Sequence, residues 1–369
     1  MRMGTAILPA YLVVVATTVL GAQDLAVQRD QIARMPDGRP DLSGTYDAAT
    51  LTPLERSVEL GEKAYLTFEE ARELAQNERA LVDKANRRTD ADREAPAEGG
   101  AAVVGFEDSE DGGNRFGAGN VGGYNWFWVD RGNEAFAIDG QFPTSIVIEP
   151  PNGRIPPLTE ATRQQRMARA SWRRANDGTA WWLKLEGPGP YDGPESLGIA
   201  ERCLLGFTGA APTYPSLYNN FKRIVQTEDH VMILIEMVHD ARIVRMGLQH
   251  PPADQRFWLG DSIGWWEGDT LIVDTTNFLP QGAMRGASEN VHVVERFTPQ
   301  VGGDVLYRFT VDDPTVWTEP WTGEYLWRAS EERVYEYACH EGNYAMEGIL
   351  RGARLLEAEA RDEATPERD

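Results

Sequence analysis

From residue 221 onward the chain alternates apolar and polar positions in short runs separated by turn residues, the period of half-buried strands. The runs fall at Arg223–Thr227, Val231–Met246, Ile263–Trp266, Leu271–Asn277, Val291–Thr298, Val305–Asp312, Glu324–Arg328 and Arg333–Cys339. Glu267-Gly268-Asp269 and Gly302-Gly303 supply hairpin turns. Strands recurring every ~10–20 residues with short turns predict antiparallel sheet, closed or sandwiched. The expected fold is therefore all-β, an antiparallel β-barrel of lipocalin-like type, with a β-sandwich as the alternative.

Before residue 200 the pattern is mixed. Leu42–Tyr46 begins a strand after a Pro-Asp-Gly turn signal, and Tyr124–Asp130 and Gln141–Pro150 read as further strands. Leu66–Lys84 has helical character, with Thr67 and Glu70 spaced as a capping box. Thr159–Asn176 and Asn343–Glu359 read as helices. Residues 86–123 are rich in Gly, Ala and acidic residues and predict a loop. The Gly/Pro-rich stretch before Leu197 places a soft boundary near 200. The expected organisation is 1–22 a secretory signal peptide, 23–200 N-terminal strands and helices packed on the barrel, 201–356 the barrel core and last helix, and 357–369 an acidic disordered tail.

Charge narrows the partners. Against 58 acidic residues stand 36 basic ones, a net charge of −22. That balance argues against nucleic acid and anionic membrane and leaves a small molecule as the expected ligand. The apolar run Ala6–Leu20 is short for a membrane span, so a periplasmic or extracellular location is expected. In such an oxidising compartment Cys203 and Cys339 are expected to form a disulfide.

The densest chemistry lies in Tyr218–Arg245. Read as one continuous strand, it puts Glu236, Asp240 and Arg242 on one face and His239 on the other. An imidazole is a natural general acid or base, and a carboxylate pair beside an arginine shifts one pKa for acid chemistry. Tyr218 and Asn219 are candidate donors to a ligand oxygen. His340 and Glu341 follow Cys339, so a disulfide would hold them as a second candidate pair. His292 in its strand, with Trp265, Trp317 and Trp321 among eleven tryptophans, could line a pocket wall. For each there is a bland alternative: a hydrogen-bonded structural histidine, a solvated ion pair, a plain turn or a core-filling indole. His230 and His250 read as surface or loop residues. No ligand spacing implies a metal, and no phosphate loop, nucleophile-elbow serine or CxxC pair is present, so no cofactor is expected.

The stretches PDGRPDLSGTY, IVIEPPNGRIPPLT, YNNFKRIVQTEDHVMILIEMVHDARIVR, WLGDSIGWWEGDTLIVDTTNF, GASENVHVVERFT, YRFTVDDPTVWTEPWTGEYLWR and YEYACHEGNYAMEGILRGAR together resemble a family of secreted bacterial proteins usually labelled hypothetical. The resemblance spans roughly Pro36 to Arg354. It implies a signal peptide and a β-rich fold and carries over no activity.

The functional expectation is a cofactor-independent enzyme. It would perform acid–base chemistry, such as isomerisation, cyclisation, dehydration or another elimination, on a small hydrophobic or aromatic molecule inside a barrel. His239 would be the acid or base, with Glu236, Asp240, His340 or Glu341 as second group. A non-catalytic periplasmic binding protein for a hydrophobic ligand or glycan is the main alternative, with a hydrolase as another.

Overall fold

The computed structural model describes residues 31–85, 129–170, 177–284 and 286–363. The expected signal peptide, the stretch 86–123 and most of the expected strand Tyr124–Asp130 lie outside them. So do residues 364–369 of the expected tail.

Twelve strands are described: β1 Gly44–Asp47, β2 Tyr65–Leu66, β3 Phe142–Pro143, β4 Val147–Glu149, β5 Phe221–Gln226, β6 His230–Ile235, β7 Ala241–Met246, β8 Asp261–Glu267, β9 Thr270–Thr276, β10 His292–Pro299, β11 Val305–Asp312 and β12 Trp321–Ser330. Three α-helices accompany them: α1 Phe68–Ala85, α2 Glu160–Ala170 and α3 Tyr344–Glu363. The capping box at α1 is formed, Thr67 N–H donating to Glu70 and Glu70 N–H to the Thr67 hydroxyl.

Nine strands close into a barrel in the order β1-β5-β6-β7-β8-β9-β10-β11-β12, with β12 returning to β1 through Thr45↔Ser330, Tyr46↔Ala329 and Asp47↔Arg328. Strand β4 adds to β12 further along, and β2 pairs with β3 separately. The barrel is antiparallel except at β7 and β8, which run parallel with Val244 opposite Ser262. A parallel neighbour needs a crossover, and residues 247–260 provide it. Three expectations change. Val231–Met246 is a hairpin, not one strand, because residues 237–239 turn the chain back. Arg333–Cys339 is not a strand, having no sheet partner. Helix α3 runs on to Glu363, so residues 357–363 are helical; Glu357 is buried and accepts the Trp182 indole N–H at 2.8 Å.

Alternation places one side of each strand inside. Val293, Glu295 and Phe297 of β10, Val305, Tyr307, Phe309 and Val311 of β11, and Tyr325 and Trp327 of β12 are all fully buried. Gly323 faces Phe309 across the β11–β12 ladder; a Cβ there would lie 2.3 Å from the Phe309 ring, so only glycine fits.

A loop also enters the barrel. Ala210, Ala211 and Thr213 are buried, with both alanines part of the main core cluster. Thr213 N–H donates to the Tyr307 hydroxyl at 3.1 Å, and the Tyr325 hydroxyl donates to the Thr213 carbonyl at 2.9 Å. Tyr307 in turn donates to Glu295 at 2.6 Å, and Glu295 accepts both terminal nitrogens of Arg242 at 2.7 and 2.8 Å. Arg242 and Glu295 are sealed from solvent, and removing one partner of such a pair costs ~3–5 kcal/mol. The interior is thus occupied by side chains and this plug.

Cys203 and Cys339 form a disulfide with a Cα separation of 5.7 Å. It joins the chain just ahead of the plug to the segment that leads into α3.

Candidate active site

The hairpin turn redistributes the residues of Tyr218–Arg245. Before it, Val231, Ile233 and Ile235 point inward; after it, Arg242 and Val244 do. The turn exchanges the two faces that a continuous strand would keep apart. Val238 and His239 hold positive φ values of 58° and 48°, unusual for non-glycine residues and most of all for a β-branched one. Val238 is buried in the core, whereas His239 is exposed.

The other expected residues therefore take separate roles. Glu236 is buried and accepts the Phe221 N–H at 3.2 Å; burial raises its pKa against that bond and the nearby Lys222 and Asn219. Asp240 accepts the Gly206 N–H at 2.8 Å, anchoring the start of the plug. A Cβ on Gly209 would lie 2.1 Å from the same carboxylate, so the loop approaches Asp240 only as glycine. Burial pushes the Asp240 pKa up to about 6, with the Gly206 bond and His239 opposing. Arg242 serves the interior network described above. Lys222, which periodicity did not single out, is wholly enclosed; burial lowers its pKa to about 8 despite Glu236 and Asp47.

Tyr218 is half-buried with its ring against Phe207, and Asn219 hydrogen-bonds Glu236. Trp317 and Trp321 are buried against each other in the core, with ring centroids 5.9 Å apart, rather than lining a ligand wall. Trp265 is exposed and donates to Glu267 at 3.0 Å. His340 and Glu341 are exposed beside the disulfide. The structure does not bring His239, His340 and the Glu236–Arg242 group together in a hydrogen-bonded cluster.

It does assemble another constellation, on the outer wall of β7–β10. Arg245, Asp261, Asp274 and His292 occupy outward positions on four consecutive strands. The crossover lays His250 against them. His250 Nδ1 lies 2.6 Å from Asp261 Oδ2, and its Nε2 lies 3.1 Å from Asp274 Oδ1. His292 Nε2 reaches the same Asp274 oxygen at 2.9 Å. Arg245 completes the row with 2.8 Å contacts to both Asp261 oxygens. The crossover is clamped here as well, since Asn277 donates to the carbonyls of Pro251 and Pro252.

The result is a chain Arg245–Asp261–His250–Asp274–His292 held on rigid strands. An imidazole that faces a carboxylate with each nitrogen donates on both sides only as imidazolium. Burial works against the Asp274 carboxylate, but the contacts with His292 and His250 outweigh it and lower its pKa. The Asp274 hydrogen bond raises the His292 pKa; partial burial opposes it, and the charges of Asp274 and Asp312 add to it. His292 is 45% exposed against 30% for Arg245 at the other end, the most accessible member of the five, and so the end of the chain that a solute can reach. Among the described residues no three or more His, Cys, Asp or Glu side chains are placed to hold a metal ion.

Of these five, only His292 was visible as a candidate in the sequence. The overlooked signal was the acid inside the apolar run Thr270–Thr276 and the acid opening Asp261–Glu267, both in the outward phase of their strands.

Fold and site together define a plugged nine-stranded β-barrel with an Asp–His hydrogen-bond chain on its outer wall. In comparisons with known proteins, no family model, curated protein or solved structure matches the chain.

Proposed function

We propose that the protein is a cofactor-independent acid–base enzyme, acting on a small organic molecule held beside His292 on the outer wall. The observation that carries this is the sharing of one Asp274 oxygen by His250 and His292, at 3.1 and 2.9 Å. With Nε2 of His292 engaged by Asp274, its Nδ1 is the nitrogen that exchanges a proton with substrate. Asp274 orients the ring and stabilises the imidazolium formed when His292 takes a proton. Removal of a proton next to a carbonyl, followed by its return to another carbon or loss of a hydroxyl as water, accounts for isomerisation or dehydration without a cofactor. The crossover that supplies His250 also exposes Phe257 and Trp258, apolar surface for such a substrate. Export to an oxidising compartment accords with the disulfide.

The test is product formation, read by mass spectrometry, from a panel of enolisable ketones, β-hydroxy ketones, epoxides and aryl esters. The wild type should convert at least one class. His292→Gln and Asp274→Asn should each lower that rate by ~10²–10⁴-fold, the usual worth of a positioned acid or base. Equal turnover by His292→Gln and wild type would remove the assignment.

A further inference from the structure

Away from the outer wall, a cleft of about 280 Å³ opens between residues 50–54, helix α1 and the residues that follow the plug. Leu54, Leu74, Ile146 and Tyr214 give it apolar walls. Thr52 also lines it; this residue is only 3% exposed, and its hydroxyl is buried with no hydrogen-bond partner. A buried hydroxyl left unpaired costs ~1–3 kcal/mol, so a group that completes it is favoured there. The charged pair lining the cleft is already engaged: Arg131 meets both Glu78 oxygens at 2.9 and 2.6 Å. A bidentate pair of this kind has little to offer a charged ligand.

We infer that this cleft is a binding site for a small, neutral, mainly aromatic or alicyclic molecule bearing one hydroxyl or carbonyl, which pairs with Thr52. The volume lies just under the roughly 300–1,000 Å³ of drug-sized ligand sites, so the ligand is fragment-sized. Tyr214 links the site to the interior: it stands next to the plug residue Thr213, and its ring lies 6.4 Å from that of Phe309. The site is independent of His292.

1-Naphthol is a suitable probe and naphthalene its hydroxyl-free counterpart, with binding to the full chain followed by equilibrium dialysis. The wild type should take up one equivalent of 1-naphthol saturably and prefer it to naphthalene. Thr52→Val keeps the shape and removes the hydroxyl; it should weaken 1-naphthol by about three- to tenfold and leave naphthalene unchanged. Leu74→Trp, which fills the cleft from the surface helix, should abolish binding of both. His292→Gln should bind like the wild type, which separates this site from the catalytic one. Absence of saturable binding, or binding indifferent to Thr52→Val, would overturn the inference whether or not Leu74→Trp folds.

Discussion

At the scale of single residues, what matters about His292 is the oxygen it shares. Its raised pKa derives first from the Asp274 hydrogen bond, so Asp274→Asn should bring its titration midpoint down towards that of a free imidazole. Titrating the ring by proton–carbon NMR checks this without any substrate; an unmoved midpoint would show that Asp274 does not control the proton. The sign for stability follows. A histidine whose pKa is raised by folding contributes stability that is fully present below the ordinary imidazole pKa near 6.5 and is lost as pH rises through the raised value. Asp312, opposite His292 in the β10–β11 ladder, acts in the same direction. None of this was legible from the neighbours of His250 in sequence, where Pro251 and Pro252 mark a loop. Its partners are 11 and 24 residues away and become neighbours only through sheet pairing.

At the scale of elements, the β6–β7 hairpin shows how periodicity misleads. The segment Glu236–Asp240 has no glycine, proline or asparagine to announce a turn, so alternation runs straight through it. Buried Val238 is held at positive φ instead. By contrast the β8–β9 and β10–β11 hairpins carry glycines at their turns, and both pairings were legible. The plug was not legible at all, because its anchors are single side chains from distant strands. One anchor has a pH signature. Asp240 titrates near 6 when folded against an ordinary 3.8, so its contribution to stability is fully present below about 3.8 and is lost as pH rises through 6. Asp240→Asn keeps an acceptor for Gly206 and removes the ionisation. Relative to wild type it should gain on the order of 2–3 kcal/mol between pH 4 and pH 7 in urea unfolding. A difference that does not change with pH would mean that the Asp240 carboxylate is not desolvated by the plug.

Across the whole molecule, the barrel itself was the most legible feature, since eight of its nine strands come from the alternating region after residue 220. The ninth, β1, arrives from the other side of the expected boundary near 200 and closes the sheet between β5 and β12. Its four residues carry too little pattern to reveal that place. The disulfide was legible from the expected compartment and the cysteine count. By linking residues 136 apart, such a crosslink removes ~5 kcal/mol of chain entropy from the unfolded state in the loop-closure picture. A small second core, in which Trp182 and Ala353 are buried with Leu356 packed beside them, lies on the α3 side of that crosslink.

The crossover between β7 and β8 has a consequence for the order of assembly. Everything in the Arg245–His292 chain comes from one contiguous span, whereas closing the barrel requires Thr45 to find Ser330. Pairings between near neighbours form with less loop-closure loss than pairings across most of the chain. The outer wall of β7–β10 should therefore gain structure while the barrel is still an open sheet, and β1 should dock last. Pulse-labelling hydrogen exchange during refolding should protect the β8–β10 amides before those of β1. Simultaneous protection would indicate that the wall waits for closure.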